Sequence, residues 1–121
     1  VPLWDRRQAQ VGEAAAQLSR SRHELEGRRF SLGQELELAY QQYEIALAQV
    51  AALESGILRQ AEAALRVATA AYRFGERGFL EVLDAQRVFR AARAELIQAR
   101  HELATAWVDI ERLRALPKEE K

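Results

Sequence analysis

The 121-residue chain has no cysteine and no methionine, two prolines and six glycines. Without cysteine there is no disulfide and no thiolate metal site. The prolines, Pro2 and Pro117, stand at the two extremes, where they cannot break a helix interior. No apolar run approaches the ~18 residues a membrane-spanning helix needs. Eighteen basic groups balance eighteen acidic ones. No net field and no block of like charge therefore draws in a phosphate backbone, which argues against nucleic acid as a partner. The absence of a starting methionine, and of a basic start leading into an apolar stretch, reads as a mature segment or an excised piece.

What is present is a helix-former's vocabulary. Alanine makes up about a fifth of the residues, and with Glu, Arg, Leu and Gln it dominates from Arg6 to Leu116. The chain reads as all-α. Asp5 followed by Gln8 resembles a capping box and places the first helix start near residue 6. The strongest internal punctuation is Arg73-Phe74-Gly75-Glu76-Arg77-Gly78-Phe79, where two glycines three apart permit left-handed backbone and a reversal. The expected architecture is a long antiparallel coiled-coil hairpin with a helix at about 6–73, a turn at 74–78 and a helix at about 79–116. Gly27 and Gly33 flank a Ser31/Gln34 pair that offers an alternative break near residues 27–31.

After the turn, Val82, Phe89, Leu96, Leu103 and Ile110 recur every seventh residue, each followed three later by Ala85, Ala92, Ala99, Ala106 or Leu113. This is an a/d seam with one bulky and one mostly alanine row. Before the turn, Leu18, Leu25, Leu32, Ala39, Ala46, Leu53 and Val67 form one row, interrupted by Gln60. Leu36, Tyr43, Val50, Ile57, Ala64 and Ala71 form its companion. Upstream the companion row fails at Arg29 and Arg22. At ~1.5 Å per residue the first helix would be on the order of 100 Å long against ~55 Å for the second. Roughly the first thirty residues then lack an intrachain partner, and self-association of the chain is expected.

Chemistry-bearing constellations are scarce. His23 and His101 show no metal-ligand spacing, and no carboxylate cluster accompanies either. Ser19, Ser21, Ser31 and Ser55 have no nucleophile-elbow context. No catalytic, metal or cofactor site is assigned. Glu24/Arg28 and Glu62/Arg66 read as i,i+4 pairs on a solvated face. The turn is richer: Tyr72, Phe74, Gly75, Arg77, Gly78, Phe79, Glu81 and Asp84 concentrate aromatics and charges there. On the residues alone, an ordinary helix C-cap with staple contacts and a docking tip stand side by side.

Four segments carry a family resemblance: Val1-Pro2-Leu3-Trp4-Asp5-Arg6-Arg7-Gln8, Ser55-Gly56-Ile57-Leu58, the run from Tyr72 through Gly75-Glu76 and Phe79-Leu80-Glu81-Val82-Leu83-Asp84-Ala85-Gln86-Arg87, and Ile110-Glu111-Arg112-Leu113. Together they resemble the C-terminal repeat of the outer membrane efflux proteins, the TolC-like channels of tripartite pumps. The branch most similar serves heavy-metal exporters of the resistance-nodulation-division class. Departures are Arg59, where the family often has proline, and Ala115-Leu116-Pro117, where it commonly has glycine. The resemblance makes residues 1–121 a single periplasmic hairpin, a partial domain of a channel that is a trimer when complete. It makes Val1 to Trp4 the exit from an outer-membrane strand. The implied partners are a periplasmic adaptor protein and an inner-membrane transporter of the same assembly. It implies a docking tip at Phe74, Gly75, Arg77, Gly78, Phe79 and Leu80, and an entrance constriction at Tyr72, Arg77, Glu81 and Asp84. The competing assignments are a hairpin of the adaptor itself or a coiled-coil scaffold module.

Overall fold

The computed structural model describes residues 2–116. They form helix α1 (Pro2–Ala52), a π-helical turn (Leu53–Ile57), helix α2 (Leu58–Arg73), a tight reversal and helix α3 (Phe79–Ala115). No strand occurs among the described residues. The helix begins at Pro2, four residues before the expected start. A first-turn proline lacks only an N–H that would have no partner there. Asp5 therefore sits inside the first turn, where its charge complements the helix dipole, and not at a cap. Pro2 to Trp4, the strand exit implied by the resemblance, are helical, while Val1 and Pro117 lie outside the described residues. α1 continues through Gly27 and Gly33, so the break near residues 27–31 does not occur. α3 ends at Ala115 with Leu116 extended (φ −60°, ψ 132°), as suits a residue that precedes proline.

The chain divides into two compact units, residues 1–37 and 38–121. In the first, every described side chain from Leu3 to Ser31 is exposed, Leu18 and Leu25 included, and Leu32 and Leu36 are half-buried.

The second unit is the antiparallel hairpin. Tyr43 of α1 stacks against Trp107 of α3 with ring centroids 5.6 Å apart, and Tyr72 of α2 against Phe79 at 5.3 Å. Between these ends, Val50, Leu53, Leu96 and Ala99 form the central cluster, with Leu58 and Leu103 packed against it. On α3 all ten expected seam residues are buried or half-buried, and Gln86 is the single addition. Ile110 is fully buried and Ala99 is 2% exposed. The alanine row lets the helices close on each other.

Upstream of the π turn the expected seam also holds within this unit, with Ala39, Tyr43, Ala46, Val50 and Leu53 all withdrawn from solvent. Downstream it moves by one residue. Leu58, Ala61, Leu65 and Ala68 face the core, whereas the expected Ile57, Ala64 and Val67 are exposed. The cause is the π turn: the Leu58 N–H bonds to the Leu53 carbonyl, five residues back, which takes one extra residue into the turn. Gln60, the interruption in the expected row, is thereby left in solvent. Ala71 returns to the expected frame and is buried.

Candidate docking tip

The reversal at 74–78 is built by backbone hydrogen bonds that close the end of α2. Gly75 adopts φ +73°, its N–H bonds to the Tyr72 carbonyl at 3.0 Å, and the Glu76 N–H reaches the Ala71 carbonyl at 2.9 Å. This pair of bonds around a left-handed residue is a Schellman motif. The expected use of glycine is met at Gly75 alone. Gly78 has φ −76° and ψ 162°, ordinary extended backbone, and serves as the N-cap of α3. A Cβ at either glycine would meet open space, so backbone conformation alone distinguishes them.

Around this frame the apolar residues point outward. Phe74 is 82% exposed and Leu80 76%, with Phe79 half-exposed where it stacks on Tyr72 at an interplanar angle of 56°. That stack is the staple of an ordinary turn, and it occupies Tyr72 and Phe79. Phe74 and Leu80 have no such role. All six expected tip residues, Phe74, Gly75, Arg77, Gly78, Phe79 and Leu80, therefore share one exposed end of the hairpin.

Of the expected constriction group, Arg77 donates to Glu81 at 3.2 Å, an i,i+4 pair in solvent beside the first turn of α3. Asp84 is exposed and has no ion-pair partner among the described residues. Within the hairpin, Tyr72 thus belongs to the aromatic staple and Arg77 to Glu81.

Two features escape the sequence reading. A shallow groove beside the tip is lined by Leu65, Arg66, Thr69, Ala70, Arg73 and Phe74. Its signal was the seven-residue spacing of Arg59, Arg66 and Arg73. At the π turn, Arg100 of α3 donates to Glu54 at 2.7 Å, an ion pair that crosses between the helices. Nothing in the sequence marks that pairing, because it depends on the hairpin register. Ser55 donates to the Ala51 carbonyl at 2.7 Å and so serves its own helix. His101 lines a second shallow groove with Ala39, Gln42, Glu102, Thr105, Ala106 and Asp109. Among the described residues no three His, Asp or Glu side chains gather where a metal ion could be held.

Residues 1–115 match the profile of the outer membrane efflux protein family. The chain is also 30% identical over 113 residues to the cobalt-zinc-cadmium resistance protein CzcC of Cupriavidus metallidurans. That alignment covers 93% of this chain and 27% of the relative, so the chain spans about a quarter of that protein's length. No solved structure matches the chain.

Proposed function

The chain belongs to the outer membrane efflux protein family, and from that premise we propose that it forms a periplasmic hairpin in the tunnel wall of a trimeric efflux channel. In this reading the turn at 74–78 docks a periplasmic adaptor protein, and the adaptor joins the channel to an inner-membrane transporter of the resistance-nodulation-division class. The likeness to a cobalt-zinc-cadmium resistance protein supports heavy-metal ions as the exported cargo. The observation that carries the docking role is the tip itself. Phe74 and Leu80 stand in solvent on a reversal whose backbone is already closed by its own hydrogen bonds. Exposed aromatic and aliphatic groups on a rigid frame are the anchors that dominate small interfaces. Turn closure alone has no use for them.

The structure selects the variant that tests this. Gly75→Trp would confound docking with folding, because a side chain at φ +73° is strained whatever the space around it. Gly78 tolerates any side chain in its present conformation, so Gly78→Trp places bulk on the tip without that strain. In the complete channel, Gly78→Trp and Phe74→Ser are expected to abolish crosslinking to the adaptor and efflux while leaving helix content and trimer assembly unchanged. Normal crosslinking by both variants would exclude the tip as the docking surface.

A gating role for Tyr72, Arg77, Glu81 and Asp84 rests on contacts between hairpins of the trimer. Asp84 is exposed and has no ion-pair partner among the described residues of its own hairpin, which supports a contact with a neighbouring one. Arg77→Ala combined with Asp84→Ala is expected to raise single-channel conductance in a planar bilayer, and unchanged conductance would remove the gate. Exposed pairs contribute less than ~1 kcal/mol each, so several must act together to hold a closed state.

A further inference from the structure

The shift of the seam across the π turn leaves α2 with two apolar faces that could each serve against α3. The face in use is Leu58, Ala61, Leu65 and Ala68. The other, one residue earlier throughout, is Ile57, Gln60, Ala64 and Val67. The second set continues the upstream pattern of Ala46, Val50 and Leu53 in unbroken steps of three and four, and runs on into Ala71. Leu53 and Ala71 are buried in the observed state and belong to both patterns. The faces differ in one respect. Using the second would bury the Gln60 amide at the level of Phe89, Ala92 and Leu96, the seam residues of α3 there, which are all apolar.

We infer that the π turn at Leu53–Ile57 is a two-position switch. It holds α2 in the observed frame, and its relaxation to a regular α-helical turn rotates the stretch from Ile57 to Ala68 to present Ile57, Ala64 and Val67 to α3 instead. One residue of frame corresponds to a rotation of about 100° and an advance of about 1.5 Å. Two elements hold the present position. The Leu58 N–H spans five residues to the Leu53 carbonyl, and Glu54, within the turn itself, is tied across the hairpin to Arg100 at 2.7 Å. Gln60 supplies the bias, since its amide stays hydrated only while the π turn is present. Packed interfaces have discrete arrangements and do not slide continuously, so the two frames are separate states. The change would carry Arg59 and Arg66 about a quarter-turn around α2, with the compensating irregularity falling between Ala68 and Ala71, which accepts the Glu76 N–H and remains in the seam. The device is thus a means of re-aiming one side of the hairpin without opening its tip. It stands on the hairpin's packing alone and holds whether or not the tip docks an adaptor.

Adjacent positions report the frame with opposite sign. Val67 is 63% exposed and Ala68 8% exposed, and the chain is free of cysteine, so Val67→Cys and Ala68→Cys each give a single thiol whose maleimide labelling rate measures its exposure. In the otherwise unaltered chain the thiol at 67 is expected to label faster. Adding Gln60→Leu removes the buried-amide penalty of the second frame. It is expected to slow labelling at 67 and speed it at 68, each on the order of tenfold, with circular dichroism unchanged. Deleting Gly56 takes the extra residue out of the turn, fixes the observed frame in a continuous α-helix, and should cancel the effect of Gln60→Leu. Rates at both positions that do not respond to Gln60→Leu would overturn the switch. A rise at both together would do the same, because it reports loosening of the helix and not rotation.

Discussion

Residues 1–37 and 38–121 are written in the same helix-forming alphabet, yet they use it differently. Both are helical throughout their described lengths apart from the reversal and the chain end. The first withdraws only Leu32 and Leu36 from solvent, and the second assembles a continuous seam from Ala39 to Ala71 against Val82 to Leu113. The reason lies at the companion row. Arg22 and Arg29 occupy positions that Tyr43, Val50 and Ala71 fill further on, so the first region offers one apolar row where two are needed to wedge against a neighbour. Propensity makes both regions helical, and paired rows decide which of them has a core. Single replacements should therefore affect the two regions very unequally.

The largest effect is expected at Ile110, the most fully buried large side chain among the described residues. Ile110→Ala should destabilise the hairpin by about 2–5 kcal/mol, through lost transfer energy and the cavity left behind, read as a shifted urea midpoint. Leu18→Ala, its counterpart in the first region, should move that midpoint by no more than ~0.5 kcal/mol. The Leu18 change should instead reduce the mass measured by light scattering at micromolar concentration, because Leu18 and Leu25 form the exposed stripe through which chains are expected to associate. Equal sensitivity at the two sites, or a wild-type chain that stays monomeric, would erase the distinction between the regions.

Overpacking comes next. Ala99 is 2% exposed at the centre of the hairpin, facing Val50 and Leu53. Ala99→Leu must push the helices apart and should cost about 1–3 kcal/mol. A neutral thermal melt would mean that the alanine row does not set the helix spacing.

How much of this was legible in advance follows the regularity of the helix. On α3 an uninterrupted α-helix keeps a constant period, and every seam residue except the half-buried Gln86 could be named from spacing. On the other arm the same reasoning works up to Leu53 and then errs by one residue, because a π turn changes the phase of everything after it. Gln60 was the trace of that change: a polar residue in an apolar row, with Ala61, Leu65 and Ala68 beside it forming a row in the neighbouring frame. At the tip, the glycine that must be glycine was readable from its place at a helix end. Gly78 was not, since its extended backbone is open to any residue. The exposed Phe74 and Leu80 could be named from sequence, but the Glu54–Arg100 bond could not, because it joins residues 46 apart whose meeting is fixed by register alone.

A smaller effect separates the two glycines. Gly75→Ala should cost about 1–2 kcal/mol, the penalty for placing a Cβ on left-handed backbone. Gly78→Ala should be close to neutral, since its φ of −76° is ordinary. Comparable losses at both would place the strain of the reversal in the whole loop and not in the Schellman residue.

The smallest effect compares two ion pairs that the structure makes similar in exposure but different in reach. Arg77–Glu81 lies within a single turn at the start of α3, at 3.2 Å, whereas Glu54–Arg100 joins two helices at 2.7 Å. Both are about half-exposed, so solvent screening limits each to about 0.2–1 kcal/mol. A pair within one helix turn brings together groups that are already neighbours in the unfolded chain, whereas a cross-helix pair forms only with the tertiary structure. Double-mutant cycles with Glu54→Gln/Arg100→Gln and Arg77→Gln/Glu81→Gln should place the cross-helix coupling in the upper part of that range and the local one near its foot. The cross-helix coupling should shrink at high salt without vanishing, because its short distance reflects a direct charge-assisted hydrogen bond. Equal couplings would mean that Glu54 and Arg100 meet by proximity alone, and that packing between Leu53 and Leu96, rather than charge, holds the hairpin in register at the π turn.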